Sequence, residues 1–495
     1  MGNQRKQLYE NAIRESLFQC AEKHDVVIIT AYYRGWTHHA APSILFCNFV
    51  SSSFISLSSV VSSLGANLAD ANLADAKLAS AKSSSAKSAY VHIPFCRRRC
   101  FYCDFAVSVV GDKAHGENST TIAQYVETLV REIEATPVCG GSLQTVFFGG
   151  GTPSLLSVRQ LDVILSAIAR KFGIAPTAEI SMEIDPATFD LAQIQGYRLA
   201  GVNRVSLGAQ TFDDKALAAA GRFHRAEDIF QAAALLRRAQ IENFSLDLIS
   251  GLPYQTVETW QADLDKALSL DPTHISNYDL IVEPQTAFAR YYEPGEQPLP
   301  SDDATAQMYR MAQQCFADAG YDHYEICNYA KPGYEAKHNL TYWRSEPCYG
   351  FGMGATSYTN YQRIDRPRTQ KTYKAWVDQF VASGGVTTDP VLPVRERMIE
   401  QIVVGLRLKE GISLIEMHQV YGDRAIEAIG KAIAPHIKSG WLTTDLPNVD
   451  ANIANLKPTH RIRLTDPEGF LMSNVVIVDA FNALESFETS QFAVT

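Results

Sequence analysis

At 495 residues and 46% hydrophobic content, the chain has enough material for two or three domains with cores of their own. Its net charge of −10 argues against nucleic acid as a general partner. Nine cysteines, an odd number with no paired framework, fit a reducing compartment where thiols stay available for metal, so a cytoplasmic location is expected.

Residues 1–88 differ in texture from the rest. Gln4 to Lys23 has the spacing of one amphipathic helix, whereas Ala41 to Ala66 is serine-rich and only intermittently apolar. That stretch is too polar for a spanning helix, which needs about 20 predominantly apolar residues, and it starts too late for a secretory signal. Lys6 stands where a myristoylation signal after Met1-Gly2 would carry Ser or Thr. From Ala66 to Ser80 the chain repeats A-N-L-A-D, A-N-L-A-D, A-K-L-A-S, then fades into an Ala/Ser/Lys-rich tract. So few units cannot stack a stable solenoid, and the segment reads as a flexible extension dispensable for the chemistry.

Tyr90 to Phe105 reads Y-V-H-I-P-F-C-R-R-R-C-F-Y-C-D-F and sets Cys96, Cys100 and Cys103 on one loop after a short apolar run. A closed zinc site wants four ligands, usually from two separated knuckles, and no second pair follows. Thiolates also suit a 4Fe-4S cube, where three of them leave one iron open for an exchangeable ligand. The Arg97-Arg98-Arg99 triplet reads equally well as a solvated loop face beside an anionic centre. The remaining cysteines (Cys20, Cys47, Cys139, Cys315, Cys327, Cys348) read as small, mostly buried residues.

From Ala89 short β-rich runs alternate with amphipathic stretches. The expected strands are Tyr90 to Phe95, Thr145 to Phe148, Glu179 to Ile184, Arg204 to Leu207, Phe244 to Ile249 and His274 to Leu280. Helical patterns between them include Ile122 to Ala135, Val158 to Lys171, Ala226 to Arg238 and Val257 to Leu268. Six strand-helix units predict a parallel sheet wound as an open or partial TIM-like barrel, with chemistry at the strands' C-terminal ends. Polar residues do close the apolar runs: Gly149-Gly150-Gly151-Thr152, then Glu183 and Asp185, Gln210, and Asp247 before Gly251. Any one of them alone is as well explained by a tight turn or a helix cap.

His338-Asn339-Leu340-Thr341-Tyr342-Trp343 combines the residue type that most often ligates haem iron with aromatics able to stack on a porphyrin. A capping His-Asn pair beside core aromatics is its structural alternative, and Tyr324 and Tyr329 read as core. From Val394 the chain turns helical: Arg397 to Leu406, Ser413 to Tyr421 and Ala425 to Ile437. A strand at Arg461 to Thr465 and a helix from Ser473 follow, which together suggest a winged-helix-like module suited to a lid or partner docking rather than DNA.

The Tyr90 to Phe105 stretch closely resembles the cluster loop of the radical S-adenosylmethionine (radical SAM) enzymes. Its wording Y-x-H-I-P-F-C-x-x-x-C-x-Y-C is similar to the branch holding oxygen-independent coproporphyrinogen oxidases and HemW-type haem chaperones. The resemblance covers roughly residues 88–475. It implies a 4Fe-4S cluster on Cys96, Cys100 and Cys103, with SAM chelating the free iron, and an electron donor for the cluster. Matched position by position, it implies SAM contacts at Tyr90, Gly150, Thr152, Glu183, Gln210, Arg222 and Asp247, with Tyr102 beside the adenine. The coproporphyrinogen oxidases carry a further cysteine two residues past the third, where this chain has Phe105. Phenylalanine cannot replace a thiol, and C-D-F resembles the HemW-type proteins, whose H-N-x-x-Y-W segment is associated with haem; the resemblance thus implies His338 as a haem ligand.

The expected organisation is an extension at 1–88, a partial (β/α)6 radical SAM barrel at 89–330, a connecting segment with H-N-x-x-Y-W at 331–390, a mostly helical winged-helix-like domain at 391–484 and a tail at 485–495. The expected function is a haem chaperone delivering haem to an acceptor protein, with no transmembrane segment and no nucleic-acid partner. Oxygen-independent coproporphyrinogen III oxidase, an enzyme of porphyrin biosynthesis, is the alternative, and a zinc-held interaction module is the third class.

Overall fold

The computed structural model describes residues 85–445 and 459–485. The helix expected at 4–23, the fivefold repeats, Cys20, Cys47 and the tail beyond Glu485 lie outside the described residues.

The strands alternate in character with period two, and this alternation builds the fold. In β1 (Ser88–Ile93), Ala89, Val91 and Ile93 join the main apolar core, whereas Ser88, Tyr90 and His92 point the other way. After the two-residue strands β2 (Phe95–Cys96) and β3 (Ser108–Val109), which pair with each other, the pattern returns. It runs through β4 (Leu143–Gly150), β5 (Ile174–Ile184), β6 (Arg204–Gln210), β7 (Phe244–Ser250) and β8 (His274–Asp279). Val146, Phe148, Met182, Val205, Leu207, Leu246 and Ile275 pack outward under the helices. Thr145, Glu179, Ser181, Ser206, Ser245, Asp247 and His274 occupy the opposite, inner positions. The barrel is apolar on its outside and polar within.

Strands β1 and β4 to β8 are parallel neighbours in sequence order, as the alternation of runs predicts. The helices begin where the sequence supplies caps. Ser119 accepts from the Ile122 amide ahead of Thr120–Ala135, and Ser157 and Gln160 form a capping box ahead of Val158–Phe172.

Two features depart from the expected boundaries. Ala86 is fully buried, and its amide donates to the Cys139 carbonyl at 3.0 Å, so the barrel's packing starts before residue 89. Residues 331–390, expected as a connecting segment, contribute to the sheet itself. Strand β11 (Cys348–Phe351) pairs in parallel with β1, and β12 (Thr356–Thr359) and β13 (Gln362–Asp365) extend that edge antiparallel. At the other edge β10 (Asn328–Ala330) and β9 (Asp322–Glu325) follow β8, giving the order β13-β12-β11-β1-β4-β5-β6-β7-β8-β10-β9. The helix Lys337–Trp343 lies between these edges and closes the end of the barrel where the strands begin, since Glu179 accepts from the amides of Lys337 and His338 at 3.2 and 3.1 Å.

The C-terminal domain has its own core of Met398, Ile402, Met417, Ile429 and Val476. It combines the helices Val394–Gly405, Leu414–Tyr421, Asp423–Lys438 and Ser473–Glu485 with a small antiparallel sheet. That sheet is β14 (Ile412–Ser413), β16 (Arg461–Leu464) and β15 (Leu442–Thr444), in the order β14-β16-β15. The domain docks on the barrel through Tyr309 and Ile326 and through an Arg310–Glu468 ion pair. Among the described residues no helix is long and apolar enough to cross a membrane.

Candidate functional site

The C-terminal ends of β1 and β4 to β7 bring the expected residues to one mouth. Cys96, Cys100 and Cys103 are free, half-buried thiols on the loop that leaves β1. Thr152 donates through Oγ1 to Cys96 Sγ at 3.7 Å, and Arg222 donates through Nη1 to Cys100 Sγ at 3.4 Å. Burial, reinforced by the neighbouring cysteines, pushes the Cys96 and Cys103 thiols up to about 12, so these two stay neutral until a cation displaces their protons. A single metal ion would draw its thiolates to within about 2.3 Å of one point. Among the described residues no three His, Cys, Asp or Glu side chains form a group that could hold a single metal ion. A four-iron cube takes one thiolate per corner, so its ligands need not meet at one point. Three soft ligands with one corner left over, facing a polar barrel mouth and a buried guanidinium, suit such a cluster.

Around this loop lie the residues matched to SAM contacts. Gly150 ends β4 with φ +110°, and its amide donates to Glu183 Oε2 at 2.9 Å. A Cβ at Gly150 would sit 2.4 Å from the His92 ring, so only glycine fits. Asp247 accepts from Ser206 at 2.7 and 2.9 Å, and these bonds offset the burial that raises its carboxyl. Glu183 is pushed further, up to about 8, by burial first and by the facing Asp247 second. Burial therefore favours the protonated form of Glu183 at neutral pH. Gln210 closes β6 at φ +68°, a left-handed conformation that a non-glycine residue holds only when its surroundings impose it. Arg222 is committed to Asp185 Oδ2 at 2.8 Å and the Gly208 carbonyl at 3.0 Å, with Nε unpaired. Tyr102 packs half-buried on Phe288, with ring centroids 6.1 Å apart, and Thr152 lies on the turn after β4.

The lumen below the mouth is open. The inward-facing Phe147, Glu183, Ser206, Asp247 and Tyr278 keep accessible surface, whereas the outward-facing Val146, Phe148, Met182, Val205, Leu207, Leu246 and Ile275 are buried. At its far end stands His338, only 1% exposed. Nδ1 meets Thr145 Oγ1 at 2.8 Å and Nε2 meets the Tyr342 hydroxyl at 2.9 Å. Its ring stacks on Phe147 at 5.1 Å. Burial alone lowers its pKa to about 3, which keeps the imidazole neutral. The structure thus gathers the three cysteines and seven further residues at the mouth and sets His338 apart on the floor, with Tyr90 between them.

Sequence reasoning overlooked His92 and Phe147. The Nε2 of His92 lies 2.9 Å from the Ala106 carbonyl, which can only accept, so that nitrogen carries the proton. Its Nδ1 must then accept from the Tyr90 hydroxyl at 3.0 Å. His92 thereby ties the return of the cysteine loop to β1. The signal available was its period-two spacing from Tyr90, which puts both side chains on the inner face.

Residues 90–267 match the Radical SAM superfamily. Over 401 residues the chain is 44% identical to the heme chaperone HemW of Synechocystis, covering 80% of this chain and 97% of that protein. It is 37% identical over 340 residues to heme chaperone HemW of Bacillus subtilis, covering 68% and 86%. It is 32% identical over 334 residues to the mitochondrial radical S-adenosyl methionine domain-containing protein 1 of mouse, covering 66% and 74%. The fold is shared with coproporphyrinogen III oxidase (HemN) of Escherichia coli, at a TM-score of 0.66 and 22% identity over 83% of this chain and 93% of that one. With the cysteine loop, the partial barrel and near full-length similarity together, the chain belongs to the HemW family of radical SAM proteins.

Proposed function

We propose that this protein is a haem chaperone: it binds haem and passes it to an acceptor protein. Membership of the radical SAM superfamily implies a 4Fe-4S cluster and SAM. Cys96, Cys100 and Cys103 would hold the cluster, and an electron donor would reduce it. Tyr90, Tyr102, Gly150, Thr152, Glu183, Gln210, Arg222 and Asp247 would hold SAM, and His338 would ligate haem. We place the protein in the cytoplasm. The observation that carries the reading is similarity over 97% of the length of a protein named as a haem chaperone. When bound, the cluster and SAM supply one-electron chemistry or a reversible ligand switch.

The chain's own residues have definable tasks. His338 offers a neutral ring nitrogen, the form that ligates iron. To do so Nε2 must exchange its Tyr342 partner for the iron, and the helix Lys337–Trp343 must shift to admit it. Such exchange makes ligation reversible, as transfer requires. Glu183 would meet the SAM ammonium as a carboxylate and so must give up its proton. Binding then releases a proton below pH about 8, and SAM affinity should rise as pH climbs from about 6 to 8, approaching tenfold per unit at the acid end. Glu183→Gln should flatten that dependence in a calorimetric titration.

The decisive experiment takes the protein reconstituted anaerobically with iron and sulfide and titrates it with haem. Stoichiometric uptake without conversion of coproporphyrinogen III supports the chaperone, and a changed Soret band with at least tenfold weaker binding in His338→Ala supports the ligand. Decarboxylation of the tetrapyrrole without haem uptake would instead support the oxidase, against the argument from Phe105. Four-coordinate zinc with no iron absorbance would support the interaction module.

A further inference from the structure

We propose that β4 couples the mouth of the barrel to its floor through Phe147, so that SAM bound at the mouth weakens haem binding at His338 and acts as a release signal. This rests on the haem and SAM reading above.

The inner face of β4 presents Thr145, Phe147 and Gly149 in succession. Thr145 Oγ1 holds His338 Nδ1 at 2.8 Å, fixing the ring from below. The Phe147 ring stacks on His338 with centroids 5.1 Å apart and planes 18° off parallel, and on Tyr90 at 6.1 Å and 21°. Tyr90 and His338 are themselves 6.5 Å apart, so the rings form one contiguous cluster. Gly149 marks where that cluster meets the mouth. A Cβ there would lie 2.8 Å from Phe147 Cε1, 2.9 Å from Tyr90 Cε2 and 3.0 Å from Glu183 Oε1. Three side chains thus converge on one point, and one of them is the carboxyl facing SAM.

The cluster has room to rearrange on one side only. Phe147 keeps accessible surface toward the lumen, while the apolar residues flanking it on β4, Val146 and Phe148, are fully buried in the outer core. A ligand seated against Tyr90 and Glu183 fills that space and holds the Phe147 ring down on His338, in the arrangement where both imidazole nitrogens are already bonded. Haem needs the opposite state, with His338 released from the stack and Nε2 free. Two ligands that favour different positions of one packed element oppose each other, and the opposition is reciprocal.

The test measures the haem dissociation constant of the reconstituted full chain with and without saturating SAM, and the SAM constant with and without haem. In the wild type SAM should weaken haem binding by at least fivefold, and haem should weaken SAM by the same factor. Phe147→Leu should bring both ratios within twofold of unity, whatever it does to the affinity for either ligand alone, because each ratio is taken within the variant. Phe147→Tyr, which keeps the ring, should retain both ratios at the wild-type value, and where the leucine variant fails to fold, a folded tyrosine variant with ratios near unity would overturn the proposal. Wild-type ratios near unity, tighter haem binding with SAM, or full coupling in Phe147→Leu would each overturn the proposal. Failure of the haem reading would look different: no uptake at all, or a His338→Ala spectrum identical to wild type.

Discussion

Cys100→Ala should yield a folded protein that no longer assembles an iron-sulfur cluster. Two remaining thiols cannot hold three corners of a cube, and no other described cysteine lies on the loop to take the third. The fold should survive because the Cys100 backbone contributes little beyond accepting from the Cys103 amide at 3.3 Å. Arg222 keeps Asp185 and the Gly208 carbonyl when the sulfur partner goes, so the buried guanidinium is not stranded. After anaerobic reconstitution, iron and acid-labile sulfide should fall from about four of each to background, with the unfolding midpoint near that of the unloaded wild type. Iron retained at wild-type stoichiometry would remove these cysteines from the site.

The second large effect is on stability and comes from outside the site. Arg366 and Glu132 form an ion pair at 2.8 Å with side chains 1% and 0% exposed. The second Glu132 oxygen accepts from Tyr373 and from the Gly352 amide. This knot joins the helices Thr120–Ala135 and Gln370–Ala382 to the turn after β11, close behind β1, where Tyr125 donates to the His92 carbonyl at 2.7 Å. Removing one charge strands the other in a dry interior, at a cost of about 3–5 kcal/mol. Against a typical domain stability of about 5–15 kcal/mol, that is a large share. Arg366→Ala should therefore unfold at markedly lower denaturant, and the double variant Arg366→Met with Glu132→Leu should recover much of the loss. A single variant as stable as wild type would mean that water or another cation reaches Glu132.

The parallel core was legible because its strands follow one another both in sequence and in space. Ala226–Arg238 was predicted to the residue, and Val257–Ser269 nearly so, because their apolar residues recur at helical spacing and their ends carry local signals. Residues 348–365 were missed for the opposite reason. Their glycines mimic a loop, and β11 finds its partner, β1, 260 residues away (Ser88 opposite Cys348), a pairing that no local pattern encodes.

The cysteine loop was legible in sequence because three thiols on one short loop need only spacing and type to offer themselves to a metal. The same holds for Phe105, whose meaning lies in the atom it lacks. What only the tertiary structure decided is the inside of the barrel. Sequence marked Glu183 and Asp247 as polar strand ends, but it took their burial inside the barrel to raise both carboxyls above their ordinary range. His338 was legible in its motif, yet its enclosure against Thr145 and Phe147 depends on the helix Lys337–Trp343 meeting β4, two segments distant in sequence. Residue type and spacing fix which chemistry a chain can perform. Burial and proximity, which arise only when distant segments pack, fix the protonation, access and coupling of the groups that perform it.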